Sequence, residues 1–247
     1  FQYLLKINME MNPIPPKAEF DHFADDYDNL LKKSITASGF EPTYFDEHKI
    51  KTIFDDYISN KKFDKKVQIL NFGCGIGKSE IFINKYFTNC TICSVDVSEK
   101  SIDSAKEKNK QFKNINFIKF DNVEDLQLKP TFDIIFVANV FHHIPEDLHL
   151  TTLKYLRSFL SPEGHLYVFE HNPKNPLTRK VFETCEFDVG CKMINSALFI
   201  KMCADSGYNT IIRRYILFFP KFFSFLSSLE KFLKWCPVGA QYYIKAK

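Results

Sequence analysis

Val67-Gln-Ile-Leu-Asn-Phe-Gly-Cys-Gly-Ile-Gly77 is the stretch whose reading decides the fold. An apolar run (Val67, Ile69, Leu70, Phe72) stops at glycines in alternate positions, Gly73, Gly75 and Gly77, and a helical pattern begins directly after them. Glycine there lets the chain turn tightly and lets a ligand lie where a β-carbon would collide. A second apolar run, Thr91-Ile-Cys-Ser-Val95, ends in Asp96. A doubly wound fold places a carboxylate at that point to hold the two hydroxyls of a ribose. The pair predicts a strand–loop–helix unit that binds an adenosine-containing cofactor.

Three nucleotide loops compete for these residues. A dinucleotide fingerprint needs a small residue at position 78, where helix and strand pack closely, and Lys78 stands there. A P-loop is matched at its end by Gly77-Lys78-Ser79, but its first glycine falls on Phe72. Leu70-Asn-Phe-Gly-Cys-Gly-Ile-Gly77 fits a third pattern and resembles the first motif of class I S-adenosylmethionine-dependent methyltransferases. That resemblance implies S-adenosyl-L-methionine as cofactor. It also implies cofactor contacts from Gly73, Cys74, Gly75, Asp96 and Val97. Asn71 departs from the family, which usually has an acid there.

The resemblance extends along the chain. Ile115-Asn-Phe-Ile-Lys-Phe120 alternates like a strand and leads into Asp121-Asn122-Val123, which in the family flank the adenine. Phe132-Asp-Ile-Ile-Phe-Val137 is apolar but for Asp133, as a central parallel strand buried on both faces should largely be. Ala138-Asn-Val-Phe-His-His-Ile-Pro145 resembles the fourth family motif, implying Asn139 near the cofactor. Pro145, Glu146 and Asp147 open a helix with Leu150, Leu153, Leu156 and Leu160 as its apolar face, and Gly164–Glu170 is the next strand. The β–α alternation predicts an α/β, Rossmann-like, doubly wound and mostly parallel sheet, with an antiparallel C-terminal strand. We expect one domain. Residues 17–57 form an N-terminal helical cap, 67–170 the cofactor core, and 171–247 substrate-side helices, C-terminal strands and a helical Phe-rich insertion.

Composition agrees with one α/β domain. The 247 residues are 45% hydrophobic, and the formal net charge of +3 is too small to argue for nucleic acid. No apolar run is long enough to span a membrane, residues 1–16 do not have the form of a signal peptide, and a cytoplasmic location is expected. The seven cysteines follow no framework; Cys90-Thr-Ile-Cys93 lies in a strand run without a second pair, so reduced thiols and no metal are expected.

Both ends carry the substrate-specific expectations. Ala18–Tyr27 resembles the helix ahead of many small-molecule methyltransferases, which implies that Tyr27 closes over the cofactor; Phe20, Phe23 and Tyr27 equally make one helix stripe. His171, Asn172 and Arg179 follow a strand's carboxyl end, the ligand side of such a sheet, and are substrate-binding candidates. His143, then His171, with His142 beside them, are candidates to take a proton from a hydroxyl acceptor. A phosphoryl or phosphoramidate oxygen needs no base. The Phe-rich stretch 217–235 reads as an amphipathic helix on the sheet, or as a face for lipid, an apolar acceptor or a second copy.

The 170–190 region, the Phe-Phe-Pro segment and Gly239-Ala-Gln-Tyr-Tyr243 are similar to bacterial methyltransferases of surface-polysaccharide (capsule) synthesis. That similarity implies a small or glycan-linked acceptor and O-methylation of a sugar hydroxyl or a phosphoramidate oxygen. Quinone or lipid methylation, a nicotinamide oxidoreductase on the same fold, and an inactive methyltransferase-like scaffold are the alternatives.

Overall fold

The computed structural model describes residues 38–60, 65–129 and 131–247. Ala18–Tyr27, including the proposed lid tyrosine Tyr27, lies outside them. In chain order the elements are α1 (Pro42–Asn60), β1 (Val67–Phe72), α2 (Glu80–Tyr86), β2 (Cys90–Asp96), α3 (Glu99–Lys108), β3 (Ile115–Lys119), β4 (Phe132–Ala138), α4 (His149–Phe159), β5 (Leu160–His171), α5 (Pro176–Glu183), α6 (Ser196–Asp205), β6 (Ile211–Ile216), α7 (Glu230–Leu233) and β7 (Gln241–Ala246).

One seven-stranded sheet runs β3-β2-β1-β4-β5-β7-β6. The first five strands are parallel, and β7 enters antiparallel between β5 and β6. This is the expected fold class. Strand order reverses between β1 and β4, so the crevice for a ligand opens outside the carboxyl ends of those two strands.

Burial explains why these residues take these places. Every residue of β4 up to Val137 is buried; the strand is apolar but for Asp133, which accepts from Lys65 Nζ at 2.7 Å and from the Gln68 amide at 3.1 Å. One face of the sheet packs Leu70, Phe72 and Val137 against Leu153, Leu156 and Phe199 of α4 and α6. The other packs Ile69, Ile92 and Ile134 against Ile50, Ile53 and Ile83 of α1 and α2. Ile50 and Ile53 are fully buried, and each such side chain stabilises the fold by roughly 1.5–3 kcal/mol. The described part of the N-terminal cap is therefore core, not an appendage. Ser98 and Asn175 cap α3 and α5 by accepting the amides of Ser101 and Thr178.

Three local expectations need correction. Leu150 is exposed and Leu160 already belongs to β5; α4 buries His149, Thr152, Leu153, Leu156 and Phe159 instead. The helix starts later than the proline because Glu146–Leu148 forms a separate 3-10 turn, which rotates the buried face. The Phe-rich insertion is not an amphipathic helix on the sheet. It is a 3-10 run over Lys221–Leu229, broken by non-helical angles at Phe223, followed by the four-residue α7. No residue of it is buried, and Phe222 is 84% and Trp235 74% exposed. Its ends are held to the fold by Tyr215 N–H to the Lys234 carbonyl and by Phe218 N–H to Glu230 Oε1.

Candidate active site

A cavity of about 600 Å³ opens at the reversal point between β1 and β4. The glycine loop forms one wall. Its amides at Gly73 and Cys74 donate to the Val95 carbonyl at 2.9 and 3.0 Å, and the Gly75 amide donates to Asp96 Oδ2 at 2.7 Å. Gly73, Gly75 and Gly77 all have positive φ. A Cβ at Gly73 would stand 2.4 Å from Val140 Cγ2, so the loop after β4 closes directly on the glycine loop. A Cβ at Gly75 would meet nothing within 4 Å, because that position faces the cavity.

Gly73, Cys74, Gly75, Asp96, Val97, Asp121, Asn122, Val123, Asn139, His142, His143 and His171 all line this cavity. Asp121 pairs with Lys119 at 2.6 Å, and Asn122 caps the next turn through Asp125. Asn139 holds a left-handed backbone at φ 55°, one of the conformations that non-glycine residues adopt where surrounding structure enforces them. Burial pushes the Cys74 thiol far up, so it is an inert wall residue.

Two expected substrate residues are elsewhere. Asn172 is buried with its amide donating to the carbonyls of Pro237 and Gly239 and its oxygen accepting the Lys174 amide; it ties β5 to the approach of β7. Arg179 is exposed, on the side of α5 away from the cavity. The turn of the helix sends Leu177, Thr178, Val181 and Phe182 inward instead.

Asn71, the departure from the family pattern, donates its amide to Glu80 Oε1 at 2.8 Å. Ser94 Oγ donates to the same oxygen at 2.6 Å, and Glu80 is wholly buried, which raises its pKa. The carboxylate missing at position 71 thus stands behind it, at the start of α2.

Across the cavity lies a histidine–carboxylate group. His142 is buried between Glu170 Oε2 (2.6 Å from Nδ1) and Asp188 Oδ1 (3.2 Å from Nε2). Burial would lower its pKa, but the two carboxylates override it and push it up to about 9. His143 places Nε2 3.5 Å from Asp188 Oδ1 and Nδ1 3.2 Å from Cys191 Sγ; burial and the neighbouring His142 charge push it down to about 3. The same two causes push His171 down to about 4, and its side chain makes no hydrogen bond with another described residue. Its ring centroid is 5.5 Å from that of His142.

Sequence reasoning missed several wall residues. Phe45, Asp46 and Lys49 reach the cavity from α1, Leu217 from just beyond β6, and Gln241 from the start of β7. Lys49 is 3% exposed, and burial lowers its pKa against the opposing charges of Asp46 and Glu170. Periodicity marks such positions as helix interior and carries no sign of a cavity. Asp188 lies in a 3-10 turn, Glu186–Asp188, without any pattern. Cys90 and Cys93, three apart on β2, project to opposite faces and cannot chelate together.

Residues 70–166 match the family described as "Methyltransferase domain". A malonyl-[acyl-carrier protein] O-methyltransferase from Halalkalibacterium halodurans is 30% identical over 129 residues, 51% of this chain and 46% of that one. One from Ilyobacter polytropus is 33% identical over 41% of this chain and 37% of its own. The chain spans under half the length of these curated relatives. Among solved structures, magnesium protoporphyrin IX methyltransferase from Synechocystis PCC 6803, with bound S-adenosylhomocysteine, superposes with a TM-score of 0.63 at 14% identity over 93% of this chain and 96% of that one. At that identity the likeness speaks for the fold. Residues 70–166 thus match a methyltransferase-domain family model, and the chain shares its fold with solved methyltransferases, one of them holding S-adenosylhomocysteine. No helix among the described residues is long and apolar enough to cross a membrane.

Proposed function

We propose that this chain transfers the methyl group of S-adenosyl-L-methionine to an oxygen of a small or carrier-linked acceptor, with the acceptor seated on the His142–His143–His171 side of the cavity. One observation carries the reading: the glycine loop with Asp96 and the histidine–carboxylate group face each other across a single cavity. The sulfonium methyl is already activated, so the chain's task is in-line placement of the two reactants and exclusion of water. Gly73, Gly75 and Asp96 hold the cofactor, with Asp121–Val123 along the adenine and Asn139 beside the methionine part. Glu170 fixes the His142 ring. His171, neutral and with no side-chain hydrogen bond to another described residue, is placed to receive a proton where the acceptor is a hydroxyl.

The acceptor classes follow from two sources. Sequence resemblance favours a sugar hydroxyl or a phosphoramidate oxygen of a surface polysaccharide. The malonyl-[acyl-carrier protein] relatives favour an acyl acceptor. A lipid-linked acceptor is favoured by one further feature, the exposed rings of Phe222, Phe225, Phe232 and Trp235 in one segment that also carries Lys221 and Lys231.

The test is calorimetric titration with S-adenosylhomocysteine, with NADH as the control, followed by transfer of a labelled methyl group to sugar, phosphoramidate, acyl-carrier and lipid acceptors. Binding of S-adenosylhomocysteine alone and turnover of one acceptor class is the expected result. Binding of NADH alone, or of neither, overturns it.

A further inference from the structure

His142, His143 and Asp188 bring three metal-ligating atoms within 4.8 Å of one another on the cavity wall. Asp188 Oδ1 is the shared vertex, 3.2 Å from His142 Nε2 and 3.5 Å from His143 Nε2. Two donors bound to one tetrahedral zinc-type ion at about 2.0–2.1 Å stand about 3.3 Å apart. The two spacings to Asp188 are therefore close to that of a shared ion, and the two histidine donors lie within 4.8 Å of each other.

The outer contacts fit as well. A ligating histidine normally donates its second ring N–H to a carboxylate, which fixes both tautomer and ring plane. His142 Nδ1 meets Glu170 Oε2 at 2.6 Å in that manner, and the Glu170 side chain is itself anchored by the Phe141 amide at 2.9 Å. His143 Nδ1 lies 3.2 Å from Cys191 Sγ, and its Nε2 faces Asp188 Oδ1. All three ligand residues line the cavity, so a fourth position opens toward its contents.

We propose that His142, His143 and Asp188 form a site for one divalent transition-metal ion of the zinc or ferrous class, with three protein ligands and an open position toward the acceptor. Two imidazoles and one carboxylate with an open face are a donor set that suits zinc and iron better than magnesium or calcium. The ion's purpose rests on the methyl-transfer reading above: it holds the acceptor oxygen and acidifies it if it is a hydroxyl. Metal binding itself does not depend on that reading.

The experiment uses the purified full chain, stripped with a chelator and titrated with Co²⁺ by visible absorption and with Zn²⁺ by calorimetry. One equivalent should bind, with the absorption bands of a four- or five-coordinate cobalt site. In Asp188→Asn and in His143→Ala, affinity should fall at least 10-fold. S-adenosylhomocysteine titration of each variant reports whether the cofactor half remains folded. Absence of stoichiometric binding in the unsubstituted protein, or equal binding in both variants, overturns the metal site. Loss of S-adenosylhomocysteine binding in the unsubstituted protein counts instead against the methyltransferase reading.

Discussion

Asp96 and Gly75, twenty-one positions apart, are joined by a 2.7 Å hydrogen bond from the Gly75 amide to Asp96 Oδ2. Asp96 Oδ1 accepts the Ser98 amide at 3.0 Å, so one carboxylate shapes the glycine loop and the start of α3 while lining the cavity. In the proposed binding mode it would act on the ligand in two ways, by direct contact and by fixing the loop. Hydrogen bonds to a charged group contribute about 1.5–3 kcal/mol, which corresponds to roughly 10- to 100-fold in affinity. Asp96→Ala should weaken S-adenosylhomocysteine binding by at least that much and lower the unfolding temperature. Asp96→Asn should fall between it and the unsubstituted protein. Calorimetry and thermal unfolding on the same samples check both effects, and wild-type affinity in Asp96→Ala would place the ribose elsewhere.

Gly75 and Gly77 share a left-handed backbone but differ in what a side chain would meet. At Gly77 a Cβ would stand 2.7 Å from both Ala105 Cβ and Asn109 Nδ2, inside the packing of α3 on the loop. At Gly75 it would enter open cavity. Gly77→Ala should therefore cost more stability, clash added to about 1–2 kcal/mol of backbone strain. Gly75→Ala should carry the backbone cost alone yet lose more cofactor affinity. Denaturant midpoints against calorimetric Kd values separate the two, and identical rankings on both scales would refute the assignment of Gly75 to the ligand wall.

Lys49 is a buried cation on the cavity wall, and burial disfavours its charged form. Its folded pKa is below its unfolded value, so the unfolded chain binds the extra proton and stability rises with pH between the two values. At neutral pH the charge is a cost that an anionic ligand would offset. Lys49→Met should keep or raise the unfolding temperature at pH 7 and reduce the gain in stability toward alkaline pH. It should also weaken S-adenosylhomocysteine binding while leaving 5′-methylthioadenosine, which lacks the carboxylate, unaffected. Equal loss for both ligands would remove Lys49 from the amino-acid end of the cofactor.

The glycine-loop side of this cavity was legible because its signals are local. A strand ending in alternate glycines and a second ending in Asp96 set both loops, and backbone geometry then allows few other arrangements. Val67–Phe72 and Phe132–Ala138 were placed within a residue for the same reason. The acceptor half depends on contacts between distant segments. Asp188 meets His142 across 46 positions and Glu170 meets it across 28, and neither carboxylate carries a local mark of that meeting. Asn172 misled because a polar residue at a strand's carboxyl end serves the ligand and the loop equally well; here it binds the carbonyls of Pro237 and Gly239. The Phe-rich run misled because helical spacing of aromatics says nothing about the serines between them or the break at Phe223.

That run supplies the last prediction. Phe222, Phe225, Phe232 and Trp235 are all more than 60% exposed, and Lys231 lies over the Phe232 ring at 4.9 Å. Truncating a buried phenylalanine costs about 3–5 kcal/mol, whereas an exposed one changes stability by about 0.5 kcal/mol or less. Replacing all four with serine should therefore shift the unfolding temperature by only a few degrees and leave S-adenosylhomocysteine affinity unchanged, since none of the four lines the cavity. If this face rests on lipid, the same variant should lose co-sedimentation with vesicles containing anionic phospholipid, and high salt should weaken the unsubstituted protein's binding because Lys221 and Lys231 contribute to it. A large fall in stability would instead mean that these rings are covered in solution. Stability and vesicle binding both unchanged would remove lipid contact and, with it, the lipid-linked acceptor from the proposed substrates.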